Sequence, residues 1–221
     1  MIFDNMDIKI HTGRYVVNGI PIVMHSDADA TRRSLLEAAY EEIHRFGFQA
    51  ASLNAILDRT GVTKGALYHH FGSKLQLGYA VLDEHIAEEL ERLWFEPLRQ
   101  PGHPIDVLME TITRMGEHYQ CEEITLGCPL NNLAQEMSAI DDGFRERIDN
   151  LYKRWLLSIE TLLIRGQQEG SVAVSIDPAD TSYFILASLE GCMSMAKNAQ
   201  SNQELMRCGK GLMSYLSSLR T

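Results

Sequence analysis

The sequence predicts an all-α fold: an N-terminal three-helix domain built on a helix-turn-helix, then a larger C-terminal helical domain. Three observations carry this. From Thr31 onward, apolar residues recur at helical spacing in nearly every segment. Residues 52–74 divide into a short helix, a glycine-bearing turn and a second short helix. Pro97, Pro101, Gly102 and Pro104 then make the sharpest break in the chain. A chain of 221 residues has room for one small domain and one larger one.

Residues 1–30 allow two readings of equal weight. Val16-Val17-Asn18-Gly19-Ile20 sets an Asn-Gly turn between apolar residues, a hairpin signal. Pro21 removes a backbone donor from the second strand and weakens that signal, leaving a disordered arm as the other reading. A third, blander account takes Met24 as the natural start and the preceding residues as an upstream extension.

Thr31 is expected to cap a first helix whose apolar stripe is Leu35, Leu36, Ala39, Ile43 and Phe46, ended by Gly47. Ser52 caps the next, which buries Leu53, Ile56 and Leu57. Gly61 supplies a tight reversal, Val62 plugs the angle, and Thr63 caps the following helix. There Ala66 and Leu67 face inward, while Lys64, Tyr68 and His69 face out. Gly65 costs a helix roughly 1 kcal/mol relative to alanine, and its bare backbone lets the helix start approach a phosphate closely. Phe71 reads as a core aromatic. The adjacent His69 and His70 point in different directions and make a poor metal site.

Ser73 begins a long helix to about Phe95, with Leu82, Ile86, Leu90 and Leu93 in register. Beyond the proline break, helices are expected from Ile105 to about Tyr119 and from Leu126 to about Ser138. Others run from Asp141 or Asp142 to Gly166–Gly170, from Asp177-Pro178 onward, and from Ser201 or Asn202 to the end.

Overall the chain is acidic, with 30 Asp plus Glu against 20 Lys plus Arg. The balance is uneven. Between Thr31 and Gly78, Arg32, Arg33, Arg45, Arg59, Lys64 and Lys74 outnumber Glu37, Glu41, Glu42 and Asp58. Net positive charge on that segment suits a polyanionic partner, and an acidic remainder would confine contact to one face. Every apolar run is broken by charges before about 20 residues, so no membrane span is expected. Cys121, Cys128, Cys192 and Cys208 lack zinc-site spacing, and reduced thiols in the cytoplasm are the simplest account.

Residues 31–82 resemble the DNA-binding domain of the TetR family of transcriptional regulators, and the run Gly61-Val62-Thr63-Lys64-Gly65-Ala66-Leu67-Tyr68-His69-His70-Phe71-Gly72-Ser73-Lys74 matches that family's signature. The resemblance implies DNA contacts from Ser52, Thr63, Lys64, Gly65, Tyr68, His69 and Lys74. Leu75 departs from it where many relatives carry an acidic residue. It also implies a homodimer built on the last two helices, a ligand pocket between the middle ones, and a division into 1–30 (extension), 31–78 (helix-turn-helix domain) and 79–221 (ligand-binding and dimerisation domain).

A second segment, Gly127-Cys128-Pro129-Leu130-Asn131-Asn132-Leu133-Ala134-Gln135-Glu136, is similar to a pattern in one branch of that family, some members of which respond to electrophiles or oxidants. The sensing residues expected on this basis are Cys128 and Lys197, while Tyr119, Trp155 and Tyr183 are candidate pocket aromatics and Met193 a candidate for an adaptable pocket wall. A helix start or the Lys197 ammonium would hold Cys128 as the reactive thiolate. Against that, a buried cysteine is commonly a small apolar packer.

The function expected is a ligand-responsive regulator, a repressor that binds a palindromic double-stranded DNA operator as a homodimer. A small apolar or electrophilic effector releases it. No cofactor, metal or catalytic residue is expected. The alternatives are a thiol-dependent enzyme or sensor centred on Cys128, with Glu136 or His118 as base, and an adaptor with a degenerate helix-turn-helix.

Overall fold

The computed structural model describes residues 8–11, 14–17, 20–22, 27–118 and 125–221. Strands β1 (Ile8–His11), β2 (Arg14–Val17) and β3 (Ile20–Ile22) form an antiparallel sheet in that order. Val17 pairs with Ile20 across the two residues between them, and β1 pairs with β2 on its other side. Asn18 and Gly19 themselves lie outside the described residues.

From Asp27 onward the regular elements are helical. Helix α1 is Asp27–Phe46, α2 is Leu53–Thr60 and α3 is Lys64–Phe71. Thr31 is therefore not a cap, because α1 starts a full turn earlier. Phe46 is also not in the stripe: it is exposed, and Phe48, just past the Gly47 reversal, fills the core in its place. The remaining caps form as their side chains dictate. Ser52 accepts from the Ala55 N–H, Thr63 Oγ1 from that of Ala66 and Ser73 Oγ from that of Gln76.

One continuous helix, α4, covers residues 74–98. Two stretches of it, Val81–Ile86 and Glu91–Phe95, are wound as π-helix. The second ends just before Pro97, whose ring cannot donate to residue 93 and crowds its carbonyl. A widened turn relieves that crowding, and the helix passes through the proline to Leu98 instead of stopping near Phe95.

Then follow α5 (Pro104–His118), α6 (Pro129–Met137), α7 (Asp142–Gln168), α8 (Pro178–Ala199) and α9 (Asn202–Ser218). Helix α6 begins later than expected. Gly127 at φ 79 turns the chain, so Leu126 is outside the helix and Cys128 is its N-cap residue. A disulfide joins Cys192 on α8 to Cys208 on α9, with Cα atoms 5.6 Å apart, correcting the expectation of reduced thiols at these two positions.

The two domains share packing. Gly78 on α4 lies beneath Phe48 of the head and Phe144 of α7, whose ring centroids are 4.7 Å apart. A Cβ on Gly78 would stand 2.5 Å from Phe48 Cε2 and 2.8 Å from Phe144 Cζ, so only glycine allows this seam.

Candidate nucleic-acid interface and effector cavity

Helix α3 is held from below by Leu67 and Phe71, both buried in the core that also takes Leu35, Ile56 and Leu77. This leaves Thr63, Lys64, Gly65, Tyr68 and His69 on the outer side, all exposed, with Ser52 exposed at the α2 start. Lys64 Nζ stands 5.9 Å from the centre of the Tyr68 ring, grouping a cation and a phenol on one face. Lys74 differs. Its ammonium donates to the Gln49 carbonyl at 3.0 Å and lies over the Phe48 ring, so it ties α4 to the α1–α2 turn.

Behind the head, α6 is fastened to it at both ends. At its start the Gly127 carbonyl lies 2.7 Å from His44 Nε2 of α1, a buried contact. Near its end Glu136 accepts from the backbone N–H of Phe48 and of Gln49, each at 2.8 Å. An open cleft of about 710 Å³ runs between α1 and α6, lined by His44, Arg45, Glu136 and Lys197 among others.

Inside the larger domain, α4, α5, α6, α7 and α8 surround a small cavity of about 20 Å³. Its lining includes Glu89, Trp94, Met115, Cys128, Trp155 and Met193. The two tryptophan rings pack at 4.7 Å between centroids, tilted by 54°. Trp155 and Met193 are thus brought together with Cys128, as three of the expected ligand residues. Tyr183 is 63% exposed and does not reach the cavity. Tyr119 lies outside the described residues.

Lys197 is also elsewhere. Its ammonium donates to Asn132 Oδ1 at 2.8 Å. The charged neighbour of Cys128 is Glu190: burial first, then this carboxylate, push the thiol well above its ordinary range. The helix start does supply backbone hydrogen bonds from Asn131 and Leu130 that pull the thiol down, but burial and Glu190 outweigh them, so Cys128 is a buried thiol held well above its ordinary range. Burial also pushes the Glu190 carboxyl up to about 7. Tyr152, facing the same pair, is raised as well, chiefly by burial. A thiol-dependent reaction needs a base within reach. Glu136 is committed to the head's backbone, and the side chain of His118 lies outside the described residues.

Two groups had no sequence signal beyond helical spacing. Among the described residues, Glu89 Oε2 and Trp155 Nε1 are buried without a hydrogen-bond partner, and the buried Glu190 carboxylate has the Cys128 thiol beside it. No group of three or more His, Cys, Asp or Glu able to hold a metal occurs among the described residues. No described helix is long and apolar enough to cross a membrane.

Comparison with known proteins bears on both regions. Residues 35–81 match the family model for bacterial regulatory proteins of the tetR family, and residues 104–212 match that for the tetracyclin repressor-like C-terminal domain. An uncharacterized HTH-type transcriptional regulator in the lacX 3' region of Lactococcus lactis subsp. lactis is 32% identical over 170 residues, covering 77% of this chain and 85% of its own. The HTH-type transcriptional repressor DhaR of Mycobacterium sp. (strain GP1) is 24% identical, covering 79% and 86%. Among solved structures, the regulatory protein TetR from Rhodobacter sphaeroides superposes with a TM-score of 0.75 at 25% identity, covering 83% of this chain and 97% of that one.

Proposed function

The chain belongs to the TetR family of bacterial regulatory proteins, and from that premise we propose that it is a homodimeric repressor of a palindromic operator, released when a small molecule fills the cavity around Trp155. It is a ligand-responsive DNA-binding transcriptional regulator. The observation that carries the mechanism is the double attachment of α6. The helix that lines the cavity through Cys128 and Leu130 also holds the head through the Gly127 carbonyl and Glu136. A ligand that favours one position of α6 therefore favours one orientation of α3.

On this reading Thr63, Lys64, Tyr68 and His69 meet DNA, with Gly65 allowing close approach and Ser52 adding a contact at the start of α2. Lys74 acts mainly by bracing the head. One such helix reads only a few base pairs, and two spaced about 34–36 Å apart read a palindrome. Exposed Phe184, Met195 and Met206 on α8 and α9 supply apolar surface for pairing these helices with a second copy as a four-helix bundle.

The test is fluorescence anisotropy of the purified protein with DNA from its own upstream region, beside scrambled DNA, at two salt concentrations. Discrimination that persists at the higher salt supports the repressor reading. Equal affinity for both DNAs at both salts would leave only non-specific charge attraction.

A further inference from the structure

We propose that the cavity between α4 and α8 is built for a cationic effector, a small ammonium compound with an apolar body and one hydrogen-bond acceptor. The proposal rests on reading this cavity as the effector site.

Three features converge on that chemistry. First, polar atoms at the cavity lack partners. Glu89 Oε2 and Trp155 Nε1 belong to lining residues, and neither has a hydrogen-bond partner among the described residues. Trp155 is only 2% exposed, so bulk water does not serve its N–H. Such groups are rare in native proteins because each costs its full desolvation penalty. A guest with a donor for Glu89 and an acceptor for Trp155 meets both needs.

Second, the cavity wall is acidic. Among the described residues no lining residue is Lys, Arg or His, and the charges at hand are the carboxylates of Glu89 and, behind Cys128, Glu190. An anion would find repulsion, and a purely apolar guest would leave the carboxylate unmatched. Glu89 also lines an outer groove whose cations are Arg32, Arg33, His85 and Arg92, which puts its side chain at the boundary between cavity and surface, with the positive groups on the outer side.

Third, the remaining walls suit a cation with an apolar body. Trp94 and Trp155 offer indole rings, whose faces attract ammonium groups. Met115 and Met193 are the flexible lining. The present volume is about that of one water, so a larger guest enters by moving these thioether side chains.

The chain has two tryptophans and both line the cavity, so tryptophan emission, excited beyond the tyrosine absorption band, reports on this site. Phenoxyethylamine, phenoxyethanol and phenoxyacetate share a ring and an ether oxygen but carry cationic, neutral and anionic heads. Titrated at pH 8, the amine should give a saturable change with a Kd about tenfold or more below that of the alcohol, and the acid should give none. Glu89→Gln, whose folding is checked by circular dichroism, should weaken the amine about tenfold and leave the alcohol unchanged. The proposal is overturned if the neutral or anionic analogue binds as tightly, if none of the three binds, or if Glu89→Gln leaves the amine's affinity unaltered. The same samples are then tested on operator DNA. An amine that binds but does not alter DNA affinity keeps the cation site and removes its role as effector site.

Discussion

The Glu136 carboxylate sits so close over Gly47 that a Cβ there would stand 2.8 Å from its Oε2. The glycine also has φ +83, a conformation that side chains disfavour. The head and α6 are thus locked through a carboxylate, two N–H groups and a missing side chain. Gly47→Ala is expected to cost about 1–3 kcal/mol of stability. Glu136→Ala is expected to lose a similar amount by orphaning the Phe48 and Gln49 donors. Its distinguishing effect is on coupling. DNA affinity should respond less to a bound effector in Glu136→Ala than in the parent, as read by anisotropy with and without ligand.

Lys64 and Lys74 should separate. Lys64→Ala is expected to weaken binding to all DNA sequences and reduce the salt slope by about one. Lys74 is already held by Gln49 and Phe48, so Lys74→Ala should show more in thermal melting than in the salt slope. Equal slope changes for the two variants would mean that Lys74 leaves its intramolecular bond for phosphate.

Glu190 gives a pH dependence of definite sign. Its value in the fold, about 7, lies above the ordinary 4.5 because burial disfavours the charged form. Between those two values the folded state holds a proton that the unfolded chain has released. Stability from this group is therefore present below about pH 4.5 and is lost as pH rises through 7. The full swing is on the order of 3 kcal/mol. Denaturant melts of the parent and of Glu190→Gln at pH 5 and 8 should show the variant losing less on going to pH 8. A parallel loss in both proteins would place the titrating group elsewhere.

Cys128 should resist electrophiles while the protein is folded. The thiol is buried beside Glu190, which favours its protonated, unreactive form. Iodoacetamide at pH 7 should label Cys128 much faster after denaturation than before, as followed by peptide mass spectrometry. Rapid labelling in the native state would restore the electrophile-sensing reading.

The sequence makes local structure legible. Ser52, Thr63, Ser73 and Asp177 each cap a helix where expected, and Asp141 and Ser201 prove to be the caps where two neighbouring residues are candidates, because a cap is a contact between residues two or three apart. What depends on distant partners is harder to see. Phe46 and Phe48 are equally apolar, and only Phe144 and Gly78 decide which is buried. The Cys192–Cys208 bond depends on how α8 lies against α9. In the cavity, Trp155 and Met193 fall to helical spacing and composition, whereas Glu89 and Glu190 look like ordinary surface acids until the neighbouring helices cover them. Lys197 is expected near Cys128, but the partner of its ammonium in this fold is Asn132.

The most direct test is selection of DNA from a random duplex pool by the full-length protein, followed by sequencing. The account predicts an enriched palindrome with half-site centres about 10–10.5 bp, or a multiple of that, apart, and loss of enrichment in a Tyr68→Ala, His69→Ala double variant that still folds. Failure to enrich any sequence, or enrichment unchanged in that variant, would contradict DNA reading by α3.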